Sequence, residues 1–297
     1  MINTIEEYLE ALKTEMQGSD PALLQDALAD AREHLSTALS VARENNAELK
    51  GVDALKIIVD EYGTPEETAS AYQEVERRTS PSLKEPSTST RPRSALARFF
   101  GVYADPYAWG ALLYLLIAFV TGVFYFSWAV TGVSISISFA IFIFGLPVAL
   151  LFLLSVRGLA LLEGRLVEAL LGVRMPRRPL FSHAGMKWFD RLKTLVTDKH
   201  TWLMLVYMII QFVLGTVYFV LIVTVLSFSL SFIAIPIIQA FLDQGVININ
   251  ESRYFAPIWS YPLFILAGFL LWTIFMHIAR GIGQLHGRLA KWMLVSE

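Results

Sequence analysis

Two arginines and their surroundings are written twice in this chain of 297 residues. Arg157-Gly158, followed by Leu162-Glu163-Gly164-Arg165-Leu166, returns 123 residues later as Arg280-Gly281, followed by Leu285-His286-Gly287-Arg288-Leu289. A guanidinium is a permanent cation with five donors in a planar fork, a shape that suits phosphate and carboxylate. Arg157, Arg165, Arg280 and Arg288 could therefore form a pseudo-symmetric basic site for lipid phosphates. The same charges also suit any inner-leaflet boundary. His277, one turn before Arg280, is a fifth candidate contact, because ionisable groups at membrane depth are functional candidates by default. Near a helix end it could equally snorkel to the interface.

Other chemistry is poorly supplied. The chain has no cysteine, which removes disulfides, thiolate metal sites and cysteine nucleophiles. It contains no Gly-x-x-x-x-Gly-Lys nucleotide loop and no Gly-x-Ser-x-Gly elbow. His34, His183, His200, His277 and His286 have no metal-like spacing. A membrane enzyme acting on lipid would have only Glu163, Glu168, Asp190, His277 and His286 to work with. The expectation is a non-enzymatic protein with no catalytic residue, no cofactor and no metal.

These residues sit in membrane-spanning sequence. Trp109, Tyr114, Phe119, Gly122, Tyr125 and Phe126 match Trp202, Tyr207, Phe212, Gly215, Tyr218 and Phe219 at an offset of 93, and the register runs on to Phe139 and Phe232. A half-unit has been duplicated, with about 30 residues added to one loop of the second copy. Hydrophobic residues make up 55% of the chain, and four runs reach the length of about 20 apolar residues that a helical crossing needs. They lie near 107–128, 138–156, 202–225 and 259–279. Residues 157–199 hold nine Lys and Arg, and the outer turns hold almost none, so both termini are expected in the cytoplasm. Met1-Ile2-Asn3-Thr4 does not open a signal peptide. Gln211 and Gln239 suit interhelical bonding, Gly122 and Gly215 close helix approach, and Pro147 and Pro236 a kink or an end.

Residues 227–242 are apolar but too short to cross separately. Val133-Ser134-Ile135-Ser136-Ile137-Ser138 and Leu226-Ser227-Phe228-Ser229-Leu230-Ser231 alternate with period two, which suggests extended backbone. Two such segments could pair as a short extracytoplasmic β-ribbon; the rival reading is helix ends with serines bonded to the preceding turn. After spans two and four, leucine-rich amphipathic helices follow, and Trp188, Phe189, Leu192, Leu195 and Val196 mark a third.

Residues 1–78 differ in kind: 17 acidic against 7 basic side chains, where the remainder has 9 against 17. Ile5, Tyr8, Leu9, Leu12 and Met16 share a helical stripe, with Asn3 and Glu6 spaced as a cap. Asp20-Pro21 opens a second helix, Leu55, Ile58 and Val59 mark a third, and Thr64-Pro65-Glu66-Glu67 is a capping box that launches a fourth. About 75 residues filled largely with alanine form a marginal core, so this head should lean on a partner, a second copy or the membrane part. Thr79 to Arg98 reads as a flexible tether with Lys84, Arg91, Arg93 and Arg98.

The segments Glu7-Tyr8-Leu9-Glu10-Ala11-Leu12, Asp30-Ala31-Arg32-Glu33-His34-Leu35 and Tyr62-Gly63-Thr64-Pro65-Glu66-Glu67-Thr68-Ala69 resemble the HAAS signalling domain over residues 1–78. That resemblance implies bacterial signalling or regulation without catalysis, often beside small transcriptional regulators. Asp105-Pro106-Tyr107, Gly145-Leu146-Pro147, Arg157-Gly158-Leu159-Ala160 and Leu170-Leu171-Gly172-Val173 resemble the bacterial domain family called Putative sensor, over about 100–295. Relatives are sometimes fused to histidine kinases; no kinase core follows here, so output is expected to pass to a separate protein.

The expected fold is all-α: a cytoplasmic helical bundle (1–78), a basic linker (79–104) and two membrane repeats (105–200 and 201–297). The expected role is a sensor of an envelope, lipid or lipophilic signal in the bacterial inner membrane. Its partners would be membrane lipids and a cytoplasmic transcription regulator or kinase, with no direct nucleic-acid contact. A homo-oligomer and a monomer both remain open. The alternative is a transporter component, since repeats are common there; against it, the spans carry almost no charge.

Overall fold

The computed structural model describes residues 2–45, 51–78, 94–139, 145–178, 188–242, 245, 247–249 and 252–295. Lys84, Arg91, Arg93 and His183, each of which figured in the sequence reading, lie outside them.

The head is four helices, α1 (Ile5–Glu15), α2 (Pro21–Asn45), α3 (Gly51–Tyr62) and α4 (Pro65–Arg78). Their shared core is Tyr8, Leu9, Leu12, Met16, Leu23, Ala27, Ala31, Leu35, Ile58 and Ala69. Alanine on α2 lets the helices approach, and the aromatic volume comes from Tyr8, fully buried. Its hydroxyl donates to the Gly63 carbonyl and pairs with Thr68 Oγ1, both at 2.9 Å. Gly63 needs its lack of a side chain, because its φ is +108°. The expected box at α4 is present: the Glu67 amide donates to Thr64 Oγ1 (3.3 Å) and Thr64 N–H donates to Glu67 Oε2 (2.9 Å). These bonds hold the Glu67 carboxyl below its usual value. The first cap lies one residue later than expected. Thr4, not Asn3, accepts from Glu7 N–H at 3.1 Å, and Glu7, not Glu6, accepts from Asn3 N–H at 2.7 Å.

The expected tether lies outside the described residues as far as 93; after it α5 (Ala95–Phe100) and a 3-10 turn (Gly101–Ala104) lead into α6 (Pro106–Phe139), so residues 95–104 of the expected linker are helical. Then come α7 (Gly145–Leu171), α8 (Trp188–Thr197), α9 (Lys199–Leu242), strands β1 (Ile247–Ile249) and β2 (Ser252–Tyr254), and α10 (Tyr261–Leu294). Four helices are long and apolar enough to cross a membrane: Pro106–Phe139, Gly145–Leu171, Lys199–Phe241 and Ile258–Leu294. The chain is an all-α multi-pass membrane protein.

The serine-alternating segments are not a ribbon. Both are helical: residues 133–138 form the last turns of α6, as the rival reading had it, and residues 226–231 lie inside α9. In hydrocarbon every backbone group needs an internal partner, which a helix provides and an open two-stranded ribbon does not. Ser229 is buried and its hydroxyl donates to the Gly268 carbonyl of α10 at 2.7 Å. α9 absorbs the extra apolar run and Pro236 into 44 residues, about 66 Å at 1.5 Å per residue, roughly twice the hydrocarbon thickness. A ribbon exists elsewhere, in the inserted loop, where β1 and β2 pair antiparallel with Asn248 opposite Arg253. The Gln239 side chain clamps that loop to α9 by bonds to Ala256 N–H (3.0 Å) and Ala256 C=O (2.9 Å).

Internal packing divides the chain into two units. The first holds Met1–Lys84, Tyr125–Ile209 and Gly287–Glu297: the head, α7, α8 and the adjoining parts of α6, α9 and α10. The second holds Glu85–Phe124 and Ile210–His286, with α5, the ribbon and the remaining lengths of α6, α9 and α10. Within the second, α6 and α9 cross at Gly122 and Gly215. A β-carbon on Gly122 would stand 2.7 Å from the Gln211 carbonyl oxygen. The close approach expected of both glycines is therefore real.

Candidate functional site

The first unit joins the head to the end of a membrane helix through one arginine. α7 ends at Gly172, with φ +64°, whose N–H donates to the Glu168 carbonyl. The chain then turns back over the head. Arg174, 7% exposed, donates from Nη2 to Asp26 Oδ2 of α2 at 2.9 Å and from Nε to both oxygens of Glu76 of α4 at 3.1 Å. Its Nη1 lies 3.7 Å from Glu168 Oε1 of α7. Burial alone would lower the Arg174 pKa, but Asp26, Glu76 and Glu168 outweigh it and hold the guanidinium above its ordinary value. Asp26 Oδ1 also accepts the Arg177 and Arg178 amides at 2.6 and 2.9 Å. Arg178 pairs with Asp30, Arg177 with Glu168 (3.0 Å), and Lys291 of α10 with Asp20 (2.5 Å). The head thus leans on the membrane part, one of the three supports its small core called for.

Each membrane copy contributes an arginine to the helix start of the other. In the first unit, Arg157 of α7 donates from Nη2 to Asp198 Oδ2 (2.5 Å) and Thr201 Oγ1 (2.7 Å). Asp198 in turn caps α9 by accepting from His200 N–H at 3.2 Å. In the second unit, Arg280 of α10 pairs with Asp105 at 3.2 Å and lies over the Tyr107 ring, 6.0 Å from its centroid. Asp105 caps α6 by accepting from Tyr107 N–H at 3.0 Å. Asp105 and Asp198 are 93 residues apart, as are Trp109 and Trp202, whose indole N–H groups donate to Tyr103 C=O and Val196 C=O at 2.9 and 2.8 Å.

Two buried triads follow the same registers. Glu163 of α7, 1% exposed, accepts the Tyr125 hydroxyl on Oε2 and the Tyr207 hydroxyl on Oε1, both at 3.1 Å. His286 of α10, also 1% exposed, is bonded through Nε2 to the Tyr114 hydroxyl (2.6 Å) and through Nδ1 to the Tyr218 hydroxyl (3.1 Å). Gln211 Nε2 donates to the Tyr114 oxygen at 3.3 Å. Tyr114 and Tyr207 are 93 residues apart, as are Tyr125 and Tyr218, and Glu163 and His286 are 123 apart. One position has become a proton acceptor between two hydroxyls, the other an imidazole that both accepts and donates.

Both triad residues are followed by a glycine that seats a neighbour of Arg174. A β-carbon on Gly164 would stand 3.4 Å from Met175 Cβ, and one on Gly287 would stand 2.6 Å from Val173 Cγ2. A narrow, mostly apolar crevice opens beside this segment, lined among others by Gln25, Arg157, Gly164, Met175, Met204 and Leu294.

Of the other arginine candidates, Arg165 is half exposed and bonds Glu168 at 3.2 Å, and Arg288 is exposed. His277 Nε2 lies 2.9 Å from the Phe99 carbonyl, which only accepts, so the nitrogen donates; the rings of the two residues stack. Among the described residues no group of three or more His, Cys, Asp or Glu could hold a metal ion. Sequence reasoning aligned all six triad residues without seeing them meet, and it had no sign of Arg174 or Asp26.

Residues 114–294 match a protein-family model described as Putative sensor. Searches of curated proteins and of solved structures found no match.

Proposed function

The chain belongs to that sensor family, and from this premise we propose that it is a non-enzymatic bacterial inner-membrane sensor with both termini in the cytoplasm. Its four crossings respond to an envelope, lipid or lipophilic signal. The head, which resembles the HAAS domain, passes the response to a separate regulator, a transcription regulator or a kinase. One observation carries the relay: Arg174, one turn past the end of α7, bonds both α2 and α4 of the head. A tilt or rotation of α7 reaches the head through that residue. The exposed guanidiniums of Arg165 and Arg288 are then the groups for anionic lipid headgroups, Arg157 and Arg280 being held by Asp198 and Asp105.

The test is photo-crosslinking in native membranes from an exposed head position such as Ile57, with mass spectrometry of the captured proteins. A cytoplasmic regulator whose capture changes in Arg174→Gln supports the reading. Transporter subunits, or capture that ignores Arg174, would replace it with an accessory role in transport.

A further inference from the structure

Asp26, Asp30 and Glu33 stand at i, i+4 and i+7 on α2 and share one face, with Glu76 of α4 meeting the same arginine as Asp26. We propose that this carboxylate face is the docking surface for an arginine-bearing basic segment of the output partner, and that residues 174–178 of the chain itself hold it closed. The proposal rests on the sensor reading for the existence of a partner; the surface and its occupant are read from the geometry.

The present occupant shows what the face selects. Arg174 engages Asp26 and Glu76, and Arg178 engages Asp30 and lies 3.7 Å from Glu33. Asp26 also binds two consecutive backbone N–H groups. The face therefore recognises a bend of main chain that offers two converging N–H groups and carries guanidiniums, through planar forks matched to carboxylates. Four carboxylates meet two guanidiniums, so negative charge remains in excess. That charge repels nucleic acid and anionic membrane alike, which leaves a basic protein segment as the fitting partner.

The contact is also of an exchangeable kind. Desolvating both members of an ion pair offsets most of their attraction, so a second basic segment can replace the first at little net cost. What favours the resting occupant is its tether, which gives an effective concentration on the order of millimolar. Withdrawal of 174–178 by a movement of α7 removes that advantage and opens the face.

The full-length protein in nanodiscs is titrated with a fluorescein-labelled peptide of the sequence of residues 172–178, read by anisotropy. Wild type should bind it weakly. Arg174→Gln with Arg178→Gln should raise the affinity about tenfold or more, and adding Asp26→Asn with Asp30→Asn should remove the gain. Arg178→Gln alone, at a half-exposed side chain, should give a smaller gain with unchanged thermal stability, and it decides the matter if the double variant does not fold. The proposal is overturned if neither arginine variant raises affinity, if the asparagine variants bind as well as their parents, or if a peptide with norleucine for arginine binds equally. The readout needs no signal and no natural partner. Peptide binding without capture of a regulator would sink the sensor reading alone, and capture without peptide binding would sink this one alone.

Discussion

Gly215 of α9 packs so closely on α6 that a β-carbon there would stand 2.3 Å from the Ala118 carbonyl oxygen. The contact falls on backbone, so no rotamer change relieves it. Gly215→Ala and Gly122→Ala should each cost about 1–3 kcal/mol, the usual range for overpacking a tight contact. Gly158 and Gly281 supply the control: they are helical, and a β-carbon on either would meet nothing within 4 Å. Alanine there should be neutral, or stabilising by up to about 1 kcal/mol from helix propensity. Thermal unfolding of the four variants in one detergent checks the contrast, which fails if all four behave alike.

The crossing illustrates what was legible in the sequence. Gly122 and Gly215 stood out because they recur in register at the offset of 93, and four crossings followed from the length of apolar runs. The serine alternation left ribbon and helix both open, because period two is a signal for sheets in water, whereas in hydrocarbon the backbone's own needs dominate. The triads were hidden for another reason. Tyr114, Tyr125, Tyr207 and Tyr218 aligned as pairs, but each meets an acid or imidazole on another helix, and the register that set Glu163 opposite His286 says nothing of what either touches. Arg174 and Asp26 are 148 residues apart in segments with no shared pattern, so no local signal could have joined them.

The two arginine pairs should differ in what they lose when broken. The Arg157 side chain is 7% exposed beside Asp198, and Arg280 is 31% exposed beside Asp105. Asp198→Asn strands a buried cation, which costs about 3–5 kcal/mol where no water replaces the partner. Asp105→Asn leaves Arg280 with more access to water and with the Tyr107 face, so the loss should be nearer 1 kcal/mol. Unfolding midpoints of the two variants test the ranking, and a larger loss for Asp105→Asn would contradict it.

Tyr114 and Tyr218 should be coupled through His286, since the imidazole must give a proton to one side and take one from the other. Tyr114→Phe takes the hydroxyl away from Nε2 and leaves the ring free to change its proton position, which changes what Tyr218 contributes at Nδ1. A double-mutant cycle of Tyr114→Phe and Tyr218→Phe should therefore show about 0.5–3 kcal/mol of non-additivity. Combining Tyr114→Phe with Tyr72→Phe, whose hydroxyl bonds Asp30 of α2, should be additive within about 0.5 kcal/mol. Additivity in the first pair would mean that the two hydroxyls do not act through one ring.

The head should fail first in alkali, and its tyrosines set the window. Tyr62 is pushed up from 10.0 to about 12, first by burial and then by the nearby Asp30 carboxylate. Tyr72 is raised further by burial and by donating its hydroxyl to Asp30. In the folded state these phenols keep their protons above pH 10, where the unfolded chain gives them up. The unfolded state then binds fewer protons, so stability falls as pH rises. The contribution of Tyr62 is fully present below about pH 10 and is lost as pH rises through about 12. Tyr62→Phe removes that titration and should flatten the decline of the melting temperature between these limits. A decline of the same slope in wild type and variant would show that Tyr62 does not set it.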